Sequence, residues 1–303
     1  RAAALRAGGL AALELRFGGG LDFLTRPALR RALGEFQPHL VLTWMGRASV
    51  LVPPGPYTRI GRLGGYYNLK YFRHCQHLVA NTRDIARYCR DGGWPEARVH
   101  YVPNFVSWSP RPPAPRARHG TPAAAPLLLA LGRLHPNKAF DVLLAAMARL
   151  PQAWLWLAGE GAERGALERR AAELGVGGRV RWLGWRDDRE SLFAAADVCV
   201  VAARAEPFGN VVLDAWAAEI PLVAAAAAGP AAYVRDGLSG LLVPVDDHEA
   251  LARAVQRVLD APDLKRRLVA GGRAALRADF TEAAVVPRWL DLFAQIGGAA
   301  CAA

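Results

Sequence analysis

The sequence predicts an α/β protein with two domains, each built around a parallel sheet that helices cover on both faces. Its 303 residues suit two domains of ordinary size, and a composition of 52% hydrophobic and 21% charged residues excludes a disordered chain. Short apolar strands alternate with amphipathic helices, which is the pattern of a parallel sheet. A stretch rich in Pro, Ala and Arg predicts a linker at residues 109–126.

The first domain, residues 1–108, shows this alternation less regularly. It opens on the end of a helix that turns at Gly8 and Gly9 into a strand. Because a strand and most of a helix would normally come first, and because the sequence begins with Arg1 rather than Met, we expect this domain to be truncated. Nothing at the start of the sequence resembles a signal peptide. Its predicted helices are Ala2–Ala7, Pro27–Phe36 and Asp84–Arg90, and its predicted strands are Ala11–Phe17, His39–Thr43, His77–Ala80 and Val99–Val102.

The second domain, residues 127–280, alternates regularly, and residues 281–303 predict a helix that returns to the first domain. Two such domains facing each other would leave a ligand cleft at the carboxyl ends of their strands. The predicted strands are Leu127–Leu131, Ala153–Ala158, Val180–Leu183, Asp197–Ala202, Pro221–Ala225 and Gly240–Val243. The predicted helices are Phe140–Leu150, Glu163–Leu174 (closed by Gly175) and Asn210–Ala218.

The sequence predicts no membrane span and no disulfide framework. The longest near-apolar run, Pro221–Val234, is shorter than the roughly 20 residues that a span needs, and Gly229 and Pro230 interrupt it. The spacing of Cys75, Cys89, Cys199 and Cys301 fits neither a metal site nor a set of disulfides. We therefore expect reduced thiols in a cytoplasmic protein, with Cys199 as a small core residue.

The net charge of +11 is concentrated in one part of the chain. Residues 1–108 hold 15 basic and 6 acidic residues, the linker adds three arginines, and residues 127–303 hold 20 basic and 21 acidic residues. A strongly basic protein is expected to meet an anionic partner, which leaves nucleic acid, a membrane surface and a phosphorylated ligand open.

The segment Arg204–Trp216 is the most informative part of the sequence. A strand ends before it, and Glu206, a Pro-Phe-Gly turn and the start of a helix follow in that order. The start of a helix after a strand presents free N–H groups, which bind anions. Glu206 before the turn and Asp214 on the helix could accept hydrogen bonds from hydroxyl groups on either side of a phosphate, such as those of a sugar and a ribose.

This segment resembles the E-x7-E element of the retaining glycosyltransferases of family 4, with Asp214 in place of the second glutamate. The resemblance implies the GT-B fold, in which two Rossmann-like domains with parallel sheets face a central cleft. It covers nearly all of residues 127–260 and is diffuse in the first domain. Other elements that resemble the family follow in the family's order: Leu131–Leu134, Lys138 with Asp141, Leu157–Gly161, Leu183–Trp185, Pro221–Gly229, Asp236–Gly237, Gly240–Val243 and Asp246.

The resemblance implies a role for each matching residue. Arg133 and Lys138 would bind the donor diphosphate and stabilise it as it leaves, Glu206 would hold the donor sugar, and Asp214 would accept ribose hydroxyls. These assignments make Glu206, Arg133 and Lys138 the predicted catalytic residues. The remaining residues expected at the donor site are Gly132, Trp185, Arg186, Phe208, Gly209, Asn210 and Val211.

Plainer interpretations stay open beside these. Asp214 could be a solvated helix residue, Arg133 and Lys138 could be ordinary loop cations, and Trp185 could pack in the core rather than contact the base. Gly159 and Gly161 could form a simple tight turn. The acid pairs Asp187–Asp188 and Asp246–Asp247 are more typical of a turn and a helix cap than of a metal site, so we expect no metal and no other cofactor.

The acceptor side is less defined. In the first domain, Arg62, Gly64, Gly65 and Tyr66 predict either an acceptor contact or a glycine turn with packed tyrosines. Here the family's histidine and its first Gly-rich loop have no counterpart. Asn81, Thr82 and Asn104 are expected to cap or turn the chain, with cleft-facing roles as the alternative. Further departures are Ala139 and Glu219 for glycines, Ala228 for the first glycine of a pair, and Ala232 for a glutamate.

Together these observations predict a hexosyltransferase-type glycosyltransferase (EC 2.4). It would move a sugar from a nucleoside diphosphate sugar to a hydroxyl of a glycan or glycolipid acceptor in lipopolysaccharide core or other cell-surface glycan synthesis. The basic first domain suggests a cytoplasmic protein that binds the inner face of the cytoplasmic membrane peripherally. A sugar-nucleotide epimerase or a non-catalytic binding protein of the same fold remains an alternative. A nucleic-acid-binding protein is a remote alternative, because this function explains neither the balanced charge of the second domain nor its motifs.

Overall fold

A computed structural model of the protein describes residues 2–15, 17 and 22–301. The chain divides into two compact units. Unit 1 comprises Arg1–Ala80, Ala86–Tyr101 and Leu290–Ala303, and unit 2 comprises Asn81–Ile85 and Val102–Trp289.

Unit 1 is built around four parallel strands in the order β1-β2-β3-β4. The strands are β1 (Leu40–Trp44), β2 (Thr58–Leu63), β3 (His77–Ala80) and β4 (Val99–Tyr101). The helices in this part of the chain are α1 (Ala2–Ala7), α2 (Thr25–Phe36), α3 (Met45–Leu51) and α4 (Arg83–Asp91). Thr82 caps the start of α4, because its Oγ1 accepts a hydrogen bond from the Ile85 N–H. The expected capping role of Thr82 is therefore confirmed.

The strand predicted over Ala11–Phe17 is wrong. Residues 11–15 and 17 form no strand, and residue 16 lies outside the described residues. Leu10 and Leu13 are largely exposed, and Glu14 pairs with Arg6 of the preceding helix. A strand is stable only when another strand satisfies its backbone N–H and C=O groups, and this segment is not paired in the sheet.

Unit 2 contains a larger parallel sheet in the order β10-β9-β8-β5-β6-β7. Its strands are β5 (Leu127–Leu131), β6 (Trp154–Ala158), β7 (Val180–Gly184), β8 (Val198–Val201), β9 (Leu222–Ala225) and β10 (Leu241–Val243). The helices are α5 (Phe140–Met147), α6 (Arg164–Glu173), α7 (Arg189–Ala195), α8 (Asn210–Ala217), α9 (Ala228–Tyr233), α10 (His248–Asp260), α11 (Pro262–Asp279) and the first part of α12 (Glu282–Cys301). From Leu290 onward, α12 belongs to unit 1. Every strand and helix predicted for the second domain lies within two or three residues of an observed one.

The two faces of this sheet bury separate core clusters. Leu128 and Ala130 of β5 belong to the cluster under α5, α6 and α10, whereas Leu127 and Leu129 belong to the cluster under α7 and α8. Alternate residues of a strand point to opposite faces, so a strand buried on both sides must be apolar throughout. This requirement explains the continuous apolar runs of the sequence.

The Pro-rich segment 109–126 lies within unit 2 and packs on the rest of that unit in part through one arginine. The Arg116 guanidinium donates to the carbonyl oxygens of Ala123, Ala125 and Ala195 and pairs with the Asp197 carboxylate at 2.9 Å. Because a guanidinium with several fixed acceptors loses its freedom, this contact holds the segment against the start of β8.

The cysteines whose side chains are described, Cys75, Cys89 and Cys199, are buried free thiols. Cys199 is fully buried in β8, which confirms its place in the core. Among the helices of the described chain, we find none with the length and apolar character needed to span a bilayer.

Candidate active site

The order of the strands in unit 2 places the candidate site between β5 and β8. From β5 the chain moves outward to β6 and β7, returns to β8 beside β5, and then continues to β9 and β10 on the other side. The direction reverses at the β5–β8 pair, and the loops that follow two such strands diverge and leave a crevice. The loop after β5 carries Arg133 and Lys138, and the loop after β8 carries Glu206.

Lys138 and Glu206 meet in this crevice. The Lys138 Nζ contacts the Glu206 Oε2 as an ion pair, although the residues lie 68 positions apart. The lysine chain crosses Gly132, where a Cβ would lie 3.3 Å from the Lys138 Cε. Both side chains are mostly buried, at 27% and 14% exposure, so two of the predicted catalytic residues form a partly desolvated pair.

Arg204 joins the loops that carry these two residues. Its backbone N–H donates to the Asn137 carbonyl oxygen, and its guanidinium donates to the Pro136 carbonyl oxygen. The same guanidinium binds both carboxylate oxygens of Asp141, at 2.9 and 2.6 Å, and pairs with Asp246 after β10 at 2.5 Å. A planar guanidinium with two fixed carboxylates holds three loops in one arrangement.

The turn between Glu206 and α8 is held by contacts with α9. Gly209 has a φ of 93°, and the Tyr233 hydroxyl donates to the carbonyl oxygens of Phe208 and Gly209, at 2.6 and 3.0 Å. The Gly229 N–H donates to the Glu206 carbonyl oxygen, and a Cβ at Gly229 would lie only 2.6 Å from that oxygen. The turn therefore needs glycine at both positions, and Phe208 is buried beneath it.

The start of α8 faces this turn. Gly209 is its N-cap residue and supplies no side-chain acceptor for the first helical N–H groups. Asn210 is the first residue of the helix, and its side-chain oxygen accepts a hydrogen bond from the Asn104 amide at 2.9 Å. Asn210 and Val211 thus lie at the helix start that the sequence predicts, where free N–H groups can bind an anion.

The two glycines Gly159 and Gly161 serve close packing between loops. A Cβ at Gly159 would overlap the carbonyl oxygen of Gly132, and one at Gly161 would overlap that of Leu134. The loop after β6 therefore lies directly against the loop that carries Arg133. The two glycines therefore serve close packing between loops rather than the simple tight turn considered from the sequence.

Asp214 is buried on α8 and is paired with Arg189. The residue is 5% exposed, and its Oδ1 lies 3.0 Å from the Arg189 Nη1. Burial raises the pKa of Asp214 to about 6, the Arg189 charge opposes this rise, and Glu190 adds to it. The alternative that Asp214 is a solvated helix residue is therefore wrong.

Trp185 and Arg186 follow β7 at the same edge of the sheet. Trp185 is 78% exposed, so the alternative that it packs in the core is wrong. Arg186 binds both oxygens of Asp188, the residue before α7, at 2.8 and 2.6 Å. Asp247 caps α10 by accepting from the Ala250 N–H, as the sequence predicts.

Arg133 is exposed in the same loop as Lys138, and no residue of the described chain forms an ion pair with it. Its guanidinium is thus available to an anion. No cluster of three or more His, Cys, Asp or Glu side chains that could hold a metal ion occurs among the residues that the structure describes.

In unit 1 the residues predicted for the acceptor side lie at the end of β2. Arg62 is inside this strand and is 2% exposed, with its guanidinium 5.6 Å from the centre of the Trp44 ring. Burial lowers the pKa of Arg62 to about 10. Gly64 is exposed, Gly65 is buried, and Tyr66 is 43% exposed against the edge of Tyr88.

Sequence reasoning missed three supporting residues, namely Arg189, Arg204 and Tyr233. All three contact a predicted site residue or its loop through a pairing between distant positions. Only Arg204 gave a signal, since it lies two residues before Glu206 in the most informative segment.

Comparisons with known proteins agree with this architecture. Residues 125–261 match the model of the family described as glycosyl transferases group 1. The lipopolysaccharide core biosynthesis glycosyltransferase LpsE of Rhizobium meliloti is 39% identical over 262 residues, which are 86% of this chain and 76% of that protein. LpsD of the same organism, also a lipopolysaccharide core biosynthesis glycosyltransferase, is 37% identical over 273 residues, or 89% of this chain and 79% of that protein.

A solved structure shows the same fold at lower identity. Anabaena HepE, crystallised in complex with UDP-glucose, aligns with a TM-score of 0.84 and 20% identity over 97% of this chain and 88% of that chain. The family and the fold class predicted from the motifs are confirmed. The parallel sheets and the motif-bearing loops of the structure agree with these relatives. The chain therefore belongs to the group 1 glycosyltransferases and is an enzyme of the GT-B fold that transfers a sugar.

Proposed function

We propose that the enzyme transfers a sugar from a nucleoside diphosphate sugar to a hydroxyl group of a glycan or glycolipid acceptor in lipopolysaccharide core or related cell-surface glycan synthesis. The names of LpsE and LpsD support the pathway, and the UDP-glucose complex of HepE supports the class of donor. The proposal also includes retention of the anomeric configuration, which follows from the E-x7-E-type element.

One observation carries the proposal. The contact between Lys138 and Glu206 at the reversal point of the sheet brings a cation and a carboxylate together. The loop of Lys138 also carries Arg133, and the loop of Glu206 leads into the start of α8. A nucleoside diphosphate sugar offers two negatively charged phosphates and, next to them, sugar hydroxyls. The cations and the helix start match the phosphates, and the carboxylate matches the hydroxyls.

The proposed mechanism uses these groups as follows. The bond between the anomeric carbon and the phosphate oxygen breaks, and the acceptor oxygen forms a new bond to that carbon from the same face. The acceptor proton passes to the departing phosphate oxygen. Arg133 and Lys138 stabilise the negative charge that develops on the diphosphate, which is the main contribution expected of the protein. Glu206 binds the sugar hydroxyls and orients the ring.

In this proposal no metal ion is needed, because two cations and a helix start balance the diphosphate charge.

We further propose that the enzyme works in the cytoplasm and binds the inner face of the membrane. In α2, Arg26, Arg30 and Arg31 lie on an exposed helix beside Phe23 and Phe36, which are 76% and 80% exposed. Apolar rings among arginines suit an anionic lipid surface.

A panel of UDP-, GDP- and ADP-sugars tests the donor class. A ligand that binds only the folded state raises its stability by about 2.7 kcal/mol at a hundred times its Kd. We expect one member of the panel to raise the melting temperature of the full chain, and R133Q to reduce that rise. If no nucleotide sugar stabilises the protein, the proposed donor class is wrong.

The substitution E206Q tests catalysis at this site. We expect E206Q to lower the rate of sugar transfer or donor hydrolysis by about 100-fold or more, because one well-placed polar group typically contributes that much to a transition state. E173Q on the exposed face of α6 removes the same charge as a matched control and should retain full activity. An E206Q protein with unchanged turnover would exclude this catalytic role. The configuration of the product, read by NMR, decides retention.

A further inference from the structure

We propose that Arg189 is a positioning residue of the donor site, which holds the Asp214 carboxylate in the orientation that the donor ribose requires. This inference rests on the proposed function, because it assumes a nucleotide at the carboxyl ends of β5 and β8. Arg189 itself lies outside every motif that the sequence suggested, since it is the first residue of α7.

The contacts of Arg189 fix its guanidinium from several directions. The Nη1 lies 3.0 Å from Asp214 Oδ1, the Nε donates to Glu190 Oε1 at 3.1 Å, and the Nη2 donates to the Ser107 carbonyl oxygen at 3.1 Å. The guanidinium also lies 5.6 Å from the centre of the Trp108 ring. A planar cation held on three edges and near an aromatic ring keeps one orientation.

Asp214 needs such a partner because of where it lies. It belongs to the buried side of α8, together with Val212, Leu213 and Trp216. Aspartate is one methylene shorter than glutamate, so its carboxylate reaches less far from the helix than the glutamate that the motif usually has. The pair with Arg189 uses Oδ1, and we expect Oδ2 to accept the ribose hydroxyl.

Arg189 also supplies the main favourable charge. The groups that act on the Asp214 carboxylate are Arg189 and Glu190 of α7, and the buried Cys199 thiol of β8 lies close enough to be influenced by it in turn. Of these, only Arg189 favours the ionised carboxylate. Without it, burial and Glu190 would act unopposed, and a protonated Asp214 would accept hydrogen bonds from ribose less well.

The test measures nucleotide affinity against pH. The dissociation constants of UDP, GDP and ADP are measured for the full-length protein between pH 5.5 and 8.5. For the nucleotide that binds best, we expect R189Q to bind about tenfold more weakly at pH 7 and to recover part of that loss at pH 8.5. R189K, which keeps the charge, should lie between R189Q and the unchanged protein. R170Q on the exposed part of α6 is the matched control and should bind normally.

A purely structural role would give a different result. If R189Q loses the same factor in affinity at every pH, or if it binds as the unchanged protein does, the positioning role is wrong. In the R189Q/D214N double variant, the pH-dependent part of the R189Q effect should vanish, because no carboxylate remains to be oriented. If R133Q weakens binding while R189Q does not, the inference fails and the proposed function stands. If none of the three nucleotides binds the unchanged protein, both fail together.

Discussion

Glu219 and Ala139 occupy positions where the sequence lacks an expected glycine, and both have a left-handed backbone. The φ angles are 55° for Glu219 and 51° for Ala139. A side chain in this region costs about 1 kcal/mol or more, because its Cβ approaches the neighbouring carbonyl oxygen. Ala139 and Glu219 therefore adopt the left-handed backbone conformation that favours glycine, although neither is a glycine.

The substitution E219G should stabilise the protein by about 1 kcal/mol. Glu219 lies just past α8 in a Schellman arrangement, in which the Ile220 N–H donates to the Ala215 carbonyl and the Glu219 N–H to that of Trp216. Its ion pair with Arg273 is exposed and contributes little. Urea unfolding measures the gain. E219A loses the ion pair but keeps a Cβ, so an equal gain in E219A would show that strain is not the cause.

Asp214 should give the stability a characteristic dependence on pH. Its pKa is about 6 in the folded protein and 3.8 in an unfolded reference. Between these pH values the folded state keeps the proton and the unfolded state has released it, so stability falls as the pH rises. D214N cannot titrate. The unfolding free energy of the unchanged protein relative to D214N should therefore fall by about 3 kcal/mol from pH 3.5 to pH 7.

The control for this titration is D263N, which changes an exposed carboxylate at the start of α11. The difference between the unchanged protein and D263N should vary little with pH. A difference for D214N that is flat from pH 3.5 to pH 7 would contradict the raised pKa.

At the scale of elements, the loops at the carboxyl edge of the unit 2 sheet act as one assembly. Arg204 joins the loops after β5, β8 and β10, and close contact at Gly159 and Gly161 joins the loop after β6. The arrangement of the Lys138–Glu206 ion pair therefore depends on contacts that neither residue makes itself.

We expect R204Q to lower the turnover number by tenfold to about 100-fold, because a shift of about 1 Å between groups that act together costs on that order. KM for the donor should change less, since Arg133 and the helix start remain. R253Q on the exposed face of α10 is the matched control. Initial rates and melting temperatures separate the two effects. A loss of rate that simply follows the unfolded fraction would contradict the positioning role.

At the scale of the whole molecule, charge is divided unevenly along the chain. Residues 1–108 hold 15 basic and 6 acidic residues, whereas residues 127–303 hold 20 and 21. The candidate site of unit 2 contains the cations Arg133, Lys138 and Arg186, whereas the excess of positive charge lies in residues 1–108. Most of the basic excess therefore lies outside the residues of the candidate donor site.

The triple variant R26Q/R30Q/R31Q should bind anionic vesicles about 100-fold more weakly, since each arginine near such a surface contributes about 1 kcal/mol. Sedimentation with phosphatidylglycerol vesicles at low and high salt measures this binding. R253Q/R266Q/R277Q removes the same charge from unit 2 and should bind as the unchanged protein does. Equal losses in both variants would mean that only net charge matters, and binding that ignores salt would exclude the proposed surface.

Local pattern predicts the fold best where burial is complete. Strands β5, β6, β8 and β9 of unit 2 are buried on both faces, so their apolar runs identify them in the sequence. Motifs place Lys138 and Glu206 on loops and Asp214 on α8. The segment Ala11–Phe17 shows the limit of this approach. Leu13–Phe17 alternates apolar and charged residues, as a half-buried strand does. A strand also needs a partner, and pairing is not a property of one segment.

By itself the sequence determined the α/β class, the order of elements in unit 2, the family and the loops that carry the candidate site. These depend on periodicity and on short motifs, which are local. Only the tertiary structure decided that Lys138 meets Glu206, that Arg204 joins three loops, and that Arg189 holds Asp214. Each of these pairs joins residues far apart in the chain, and the folded backbone alone brings their charges together.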